Sequence, residues 1–68
     1  MNEDHLNLEI RKFLKKVGIS SQRILESKIK ESLSLGDLKI SDEIKVEMKL
    51  KVKNPNIEHL ISEKIVIE

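Results

Sequence analysis

The clearest pattern in the chain is an alternation of apolar and polar residues over positions 43–53. One set of alternate positions is entirely apolar and comprises Ile44, Val46, Met48, Leu50 and Val52. The other set is charged and mostly lysine, and comprises Lys45, Glu47, Lys49, Lys51 and Lys53. Because successive side chains of a strand point to opposite sides, this pattern predicts a β-strand over 43–53 with one buried face.

A second strand is expected over about residues 60–67, after a turn at Asn54-Pro55-Asn56. Proline cannot donate a hydrogen bond to a strand ladder, and asparagine tolerates turn conformations. Within this strand one face carries Ile61, Ile65 and Ile67, and the other carries Leu60 and Val66. Glu63 is in phase with the isoleucines, so a bulge or an edge position is expected there. The two strands together predict an antiparallel hairpin.

Helical periodicity dominates the N-terminal half of the chain. A stripe at helical spacing, formed by Leu6, Ile10, Phe13, Leu14 and Val17, predicts a helix over about residues 4–17. Gly18 is expected to end this helix, because a left-handed conformation is cheap without a Cβ. Ser20 or Ser21 is expected to start a second helix over about 21–35, which Gly36 ends. The predicted fold is α+β, with two N-terminal helices followed by a two-stranded antiparallel β-hairpin (ααββ) in a single domain over residues 1–68.

A chain of 68 residues has room for one small core. It contains no cysteine, which rules out disulfides, thiolate zinc sites and thiol catalysis. Oligomerisation is the remaining way to supplement such a core, so a homodimer is expected. Three apolar residues that neither the first helical stripe nor the main hairpin face accounts for are the candidate dimer interface: Leu8, Leu60 and Val66.

The N-terminus predicts a cytoplasmic protein. Met1-Asn2-Glu3-Asp4 is acidic and is not followed by the apolar region of a signal peptide. No apolar run approaches the roughly 20 residues that a transmembrane helix needs. No membrane partner is therefore expected.

Candidate catalytic and metal-binding groups are sparse. His5 and Glu9 stand four residues apart and could share a metal, but a closed zinc site needs about four ligands, so a solvated helix surface is favoured. Four carboxylates lie close in sequence without a visible pocket around them: Asp37, Asp42, Glu43 and Glu47. No glycine-rich phosphate loop and no nucleophile motif is present. We therefore expect no catalytic, cofactor-binding or metal-binding residue, no cofactor, and no enzymatic activity.

Nucleic-acid binding is the alternative function. The two predicted helices joined by Gly18-Ile19-Ser20 resemble a helix-turn-helix motif. The hairpin would then follow this motif in the position that the wing occupies in a winged-helix domain. The candidate contacts to a groove and to phosphates are Gln22, Arg23, Lys28, Lys45, Lys49, Lys51 and Lys53. The net charge of only +1 and the absence of stacking aromatic residues argue against this function. A non-enzymatic protein–protein interaction module is therefore preferred, with the lysines keeping the outer sheet face soluble.

Three segments of the N-terminal half also carry a family resemblance. They are Met1-Asn2-Glu3-Asp4, the run Ile10-Arg11-Lys12-Phe13-Leu14-Lys15-Lys16-Val17-Gly18, and Ser20-Ser21-Gln22-Arg23. With them, the chain resembles a family of small bacterial proteins of about this length that is catalogued as a domain of unknown function. The resemblance implies a free-standing cytoplasmic bacterial protein. It carries no assigned activity, so it implies no functional residues.

Overall fold

The computed structural model describes residues 1–68 and contains three regular elements. Helix α1 spans Glu3–Leu35, strand β1 spans Glu43–Val52, and strand β2 spans Ile57–Val66. The chain divides into two compact units, Met1–Asp37 and Leu38–Glu68. The prediction of an α+β fold that ends in an antiparallel hairpin is confirmed, whereas the prediction of two helices is wrong. The single domain expected over residues 1–68 stays a prediction.

Both ends of α1 are set by capping residues. The Asn2 side-chain Oδ1 accepts a hydrogen bond from the His5 backbone N–H at 3.0 Å, which satisfies one of the free donors of the first turn. At the other end Gly36 adopts φ 81° and its N–H donates to the Leu33 carbonyl at 3.2 Å. The Asp37 N–H donates to the Ser32 carbonyl at 2.9 Å, as in a Schellman motif. Gly36 therefore ends the helix as predicted.

Gly18 lies inside α1 and does not end a helix. Ser20, the expected start of the second helix, instead donates its hydroxyl back to the Lys16 carbonyl at 2.9 Å. A glycine in a helix interior costs only about 1 kcal/mol relative to alanine, a penalty that the rest of a 33-residue helix can offset. The turn required by a helix-turn-helix is consequently absent, and that part of the nucleic-acid hypothesis is wrong.

Replacing Gly18 by alanine is expected to stabilise the protein by about 1 kcal/mol, because alanine has the higher helix propensity. A Cβ at position 18 meets no atom within 4 Å, so no clash opposes the gain. The measurement is urea unfolding followed by circular dichroism in the far ultraviolet. Gly36→Ala is the matched control, since its positive φ predicts destabilisation of similar size. A loss of stability in Gly18→Ala would mean that residue 18 adopts a left-handed turn.

The hairpin is a continuous antiparallel ladder whose register runs from Glu43↔Val66 at one end to Val52↔Ile57 at the other. Strand β1 ends one residue before the predicted boundary, and β2 begins three residues earlier than predicted. Glu63 pairs directly with Val46, so the ladder has no bulge there. Because the sheet has only two strands, both are edge strands, and the edge explanation for Glu63 holds.

Backbone hydrogen bonds between Ile67 and the turn before β1 extend the hairpin beyond Val66. The Ile67 N–H donates to the Asp42 carbonyl at 2.8 Å, and the Ser41 N–H donates to the Ile67 carbonyl at 2.6 Å. The Asp42 side-chain Oδ2 accepts from the Lys39 N–H at 2.9 Å and closes the turn before β1. Ile67 is the one buried apolar residue of the chain, with 5% of its surface exposed. These hydrogen bonds therefore hold the C-terminal end of β2 against the turn before β1.

Candidate interaction surface

One face of the hairpin is apolar at eight of its ten positions. We call this the apolar face, and its five cross-strand rows are Val52/Ile57, Leu50/His59, Met48/Ile61, Val46/Glu63 and Ile44/Ile65. The strands place these residues on one side because side chains at every second position share a face. The next residue in phase along β2, Ile67, lies beyond the ladder. The middle row of the apolar face is therefore Met48/Ile61.

The apolar face is open to solvent. Ile61 exposes 51% of its surface and Met48 exposes 41%, although both occupy the middle row. Single exposed apolar residues are ordinary, but eight apolar residues on one sheet face, five of them exposed and three half-buried, mark a contact surface in soluble proteins. The arrangement can therefore bind another apolar surface, and it offers no side-chain chemistry beyond one imidazole and one carboxylate.

The opposite face of the hairpin, which we call the charged face, is largely neutralised by its own glutamates. Lys45 lies directly opposite Lys64, a pairing of like charges that is unfavourable by itself. Each of the two is relieved by a carboxylate: the Lys45 Nζ lies 3.1 Å from Glu47 Oε1, and the Lys64 Nζ lies 3.6 Å from Glu43 Oε1. These ion pairs are exposed, so they contribute little stability, but they cancel the local field.

The same cancellation affects most candidate nucleic-acid contacts. Glu58 lies 3.3 Å from the Lys49 Nζ and 3.9 Å from the Lys51 Nζ. On α1, Lys28 pairs with Glu31 at 3.4 Å, and Gln22 donates to Glu26 at 2.9 Å. Of the seven candidates, Arg23 and Lys53 are the two that form no hydrogen bond or ion pair with a carboxylate. A phosphate backbone would have to compete with resident glutamates at the other five positions.

The predicted dimer interface residues are exposed but lie among charges. Leu60 and Val66 are on the charged face, opposite Lys49 and Glu43. Leu8 is exposed on α1. Leu60 and Val66 stand six residues apart on β2, so they do not form a contiguous patch. They stay candidate contacts, whereas the eight apolar residues of the opposite face form the larger surface.

Sequence reasoning missed two members of the apolar face. Ile57 and His59 lie before the predicted start of β2 at about residue 60, whereas Glu63 is in phase with the isoleucines in the sequence itself. The signal was available, because the period of two runs backward from Ile61 through His59 to Ile57. Reading β2 as far as the turn would have included them.

The structure contains no group of three or more His, Asp or Glu side chains that could hold a metal ion. The candidate ligand Glu9 instead pairs with Lys12 at 3.6 Å. Helix α1 does not combine the length and the apolar character needed to span a membrane.

Comparison with curated proteins finds no match, and comparison with solved structures finds none. A family model, by contrast, matches the whole chain, residues 1–68. This match confirms the resemblance seen in the N-terminal segments. The chain belongs to a family of unknown function, DUF6494.

Proposed function

We propose that this protein is a small, non-enzymatic, cytoplasmic interaction module that works as a homo-oligomer and uses the apolar face as its contact surface. The observation that supports the proposal is that far more large apolar side chains are exposed than are buried. Seventeen large apolar side chains are exposed, while a single one, Ile67, is buried. Full burial of each such side chain contributes roughly 1.5–3 kcal/mol, so a second chain that covers them supplies the stability that one chain lacks.

Neither unit is expected to be stable by its secondary structure alone. A two-stranded hairpin is marginal in water without a further layer. Most helical stability in proteins comes from packing of an apolar stripe, and α1 has no buried residue. Both units therefore support a protein whose folded form depends on association.

The size of the apolar face limits the kind of oligomer. Ten residues at about 3.3 Å per residue and two strands about 4.8 Å apart give a face of roughly 33 by 10 Å, or about 330 Å². A stable interface buries about 800 Å² on each partner. The apolar face alone is therefore smaller than a stable interface. The exposed stripe of α1, comprising Leu6, Ile10, Phe13 and Leu14, is a separate apolar surface that association can cover.

Sedimentation equilibrium on the full chain tests the proposal. We expect a dimer or a larger closed oligomer at micromolar concentration, with thermal unfolding midpoints that rise with protein concentration. A monomer that unfolds cooperatively, at a midpoint independent of concentration, would contradict the proposal. In that case the apolar residues would have to be covered within one chain.

The alternative, nucleic-acid binding, has its own measurement. We expect no binding to random-sequence duplex DNA at about 50 mM salt, because Lys45, Lys49 and Lys51 are paired with glutamates. If four hairpin lysines did contact phosphates, log K would fall against log salt with a slope of about −3.6. The measurement is fluorescence anisotropy of a labelled duplex over a salt series. Binding with such a slope, lost on charge reversal of Lys49 and Lys51, would establish the alternative.

A further inference from the structure

The apolar face carries two polar residues, and their positions are symmetric. His59 and Glu63 lie two residues to either side of Ile61, in the second and fourth of the five rows. One side chain can donate a hydrogen bond and become positively charged, and the other is an acceptor that carries negative charge. The face therefore has a pattern of apolar, basic, apolar, acidic, apolar along β2, centred on Ile61.

These two residues cannot pair within one chain. Four residues of strand separate them by about 13 Å, and each lies opposite an aliphatic partner, Leu50 for His59 and Val46 for Glu63. In the single chain both are exposed. A purely apolar surface placed on this face would strip water from an imidazole and a carboxylate without replacing their hydrogen bonds, which is costly. An occupant that offers a complementary pair at the same spacing avoids this cost.

A second copy of the same face offers such a pair. We propose that two copies pack their apolar faces together about a two-fold axis that runs perpendicular to the strands and passes through the Met48/Ile61 row. In this arrangement His59 of each copy lies opposite Glu63 of the other, giving two identical imidazole–carboxylate pairs. The inference rests on the proposed homo-oligomer and adds its geometry and its specificity-determining residues.

The other rows fit the same axis. The Val52/Ile57 row of one copy meets the Ile44/Ile65 row of the second, so that both ends of the interface are entirely aliphatic. Aligned sheets pack at about 30° to each other, which displaces positions about 7 Å from the axis by about 3.5 Å. Imidazole and glutamate side chains can span that displacement, so the twist of the sheets does not separate the pairs.

The other two-fold arrangement of the same faces is disfavoured. An axis parallel to the strands places β1 of one copy over β2 of the second. His59 then faces Leu50 of the second copy, and Glu63 faces Val46. Both polar side chains then lie against aliphatic residues without a hydrogen-bond partner, which is costly. Charge placement on the face thus selects one axis over the other.

The test uses two variants, in each of which the residues at positions 59 and 63 of the apolar face carry charges of the same sign. The first carries His59→Lys with Glu63→Lys, and the second carries His59→Glu with Glu63 retained. About the proposed axis, each variant places like charges opposite each other in its own homodimer, and opposite charges in the mixed dimer. We expect each variant alone to dimerise at least about tenfold more weakly than the wild type, and an equimolar mixture to form a one-to-one heterodimer. His59→Lys alone is the matched control, and it should dimerise like the wild type because the introduced ammonium group still faces Glu63.

The readouts are sedimentation equilibrium and, should a variant unfold when alone, recovery of the circular dichroism signal on mixing. Homodimers of both variants as tight as the wild type would overturn the inferred geometry, as would weakened variants that fail to combine. A wild-type protein that is monomeric would overturn the proposed homo-oligomer itself. The two failures are therefore distinguishable by the behaviour of the wild type.

Discussion

Replacing Ile61 with aspartate is expected to dissociate the proposed homo-oligomer, with an affinity loss of more than about a hundredfold, or about 3 kcal/mol. Ile61 occupies the middle row of the apolar face and exposes 51% of its surface in the single chain. Burying a carboxylate there removes an aliphatic contact from each copy and adds an unpaired charge. The measurement is sedimentation equilibrium over a wide concentration range, with circular dichroism to detect unfolding of the dissociated chain.

The control for that variant is the adjacent residue on the opposite face. Leu60 exposes 57% of its surface and lies opposite Lys49, so Leu60→Asp should leave the oligomer intact. A variant that combines Leu60→Asp with Val66→Asp extends the control over both candidate residues of the charged face. If these substitutions dissociate the protein and Ile61→Asp does not, the interface lies on the charged face, together with Leu8 or without it.

Replacing Ile67 with alanine is expected to lower the free energy of unfolding by about 2–4 kcal/mol. Ile67 is buried, and its backbone N–H and carbonyl bond to Asp42 and Ser41. The substitution leaves those backbone bonds possible but removes the side chain that fills the one buried position. Because small proteins have total stabilities of only about 5 kcal/mol or somewhat more, this loss is large. Urea unfolding at fixed protein concentration measures it.

Ile40→Ala is the matched control for Ile67→Ala. Both residues belong to the Leu38–Glu68 unit, and Ile40 exposes 63% of its surface. The same atoms are deleted at both positions, so a difference between the two losses of stability reports the effect of burial and not of side-chain type. We expect Ile40→Ala to change stability by less than about 0.5 kcal/mol, as is usual for surface substitutions. Equal effects at the two positions would show that Ile67 contributes no packing.

The hairpin could be predicted from the sequence because a period of two over β1 has no helical alternative. The uninterrupted course of α1 could not be predicted, because Gly18 and Ser20 are each compatible both with a helix end and with a helix interior. Glycine ends a helix only when the chain adopts a positive φ, and serine caps one only when its hydroxyl reaches forward to an N–H. In α1 the Ser20 hydroxyl reaches back to the Lys16 carbonyl instead. The choice depends on whether the helix on either side is strong enough to continue, which local residue identity does not decide.

The candidate surface was predictable in composition but not in arrangement. The apolar positions of β1 follow from their spacing alone. That Ile61 lies in the middle row of the face, with His59 and Glu63 symmetric about its centre, requires the register of the ladder, in particular the pairing of Met48 with Ile61. That register depends on how many residues the turn consumes, and the turn at Asn54-Pro55-Asn56 allowed β2 to begin at Ile57. With the predicted start of β2 at about residue 60, His59 falls outside the strand, so the symmetric placement of His59 and Glu63 about Ile61 is not apparent.

The locality of the hydrogen bonds bears on the order of events during folding. Helix α1 is held by bonds between neighbouring turns, and β1 and β2 follow each other across one short turn. Such elements form within microseconds, because little chain entropy is lost before the first contacts are made. Encounter between chains is bimolecular and, at micromolar concentration, far slower. For the proposed homo-oligomer, we therefore expect the rate of folding to rise with protein concentration, because association captures helices and hairpins that are only marginally stable in the separate chains.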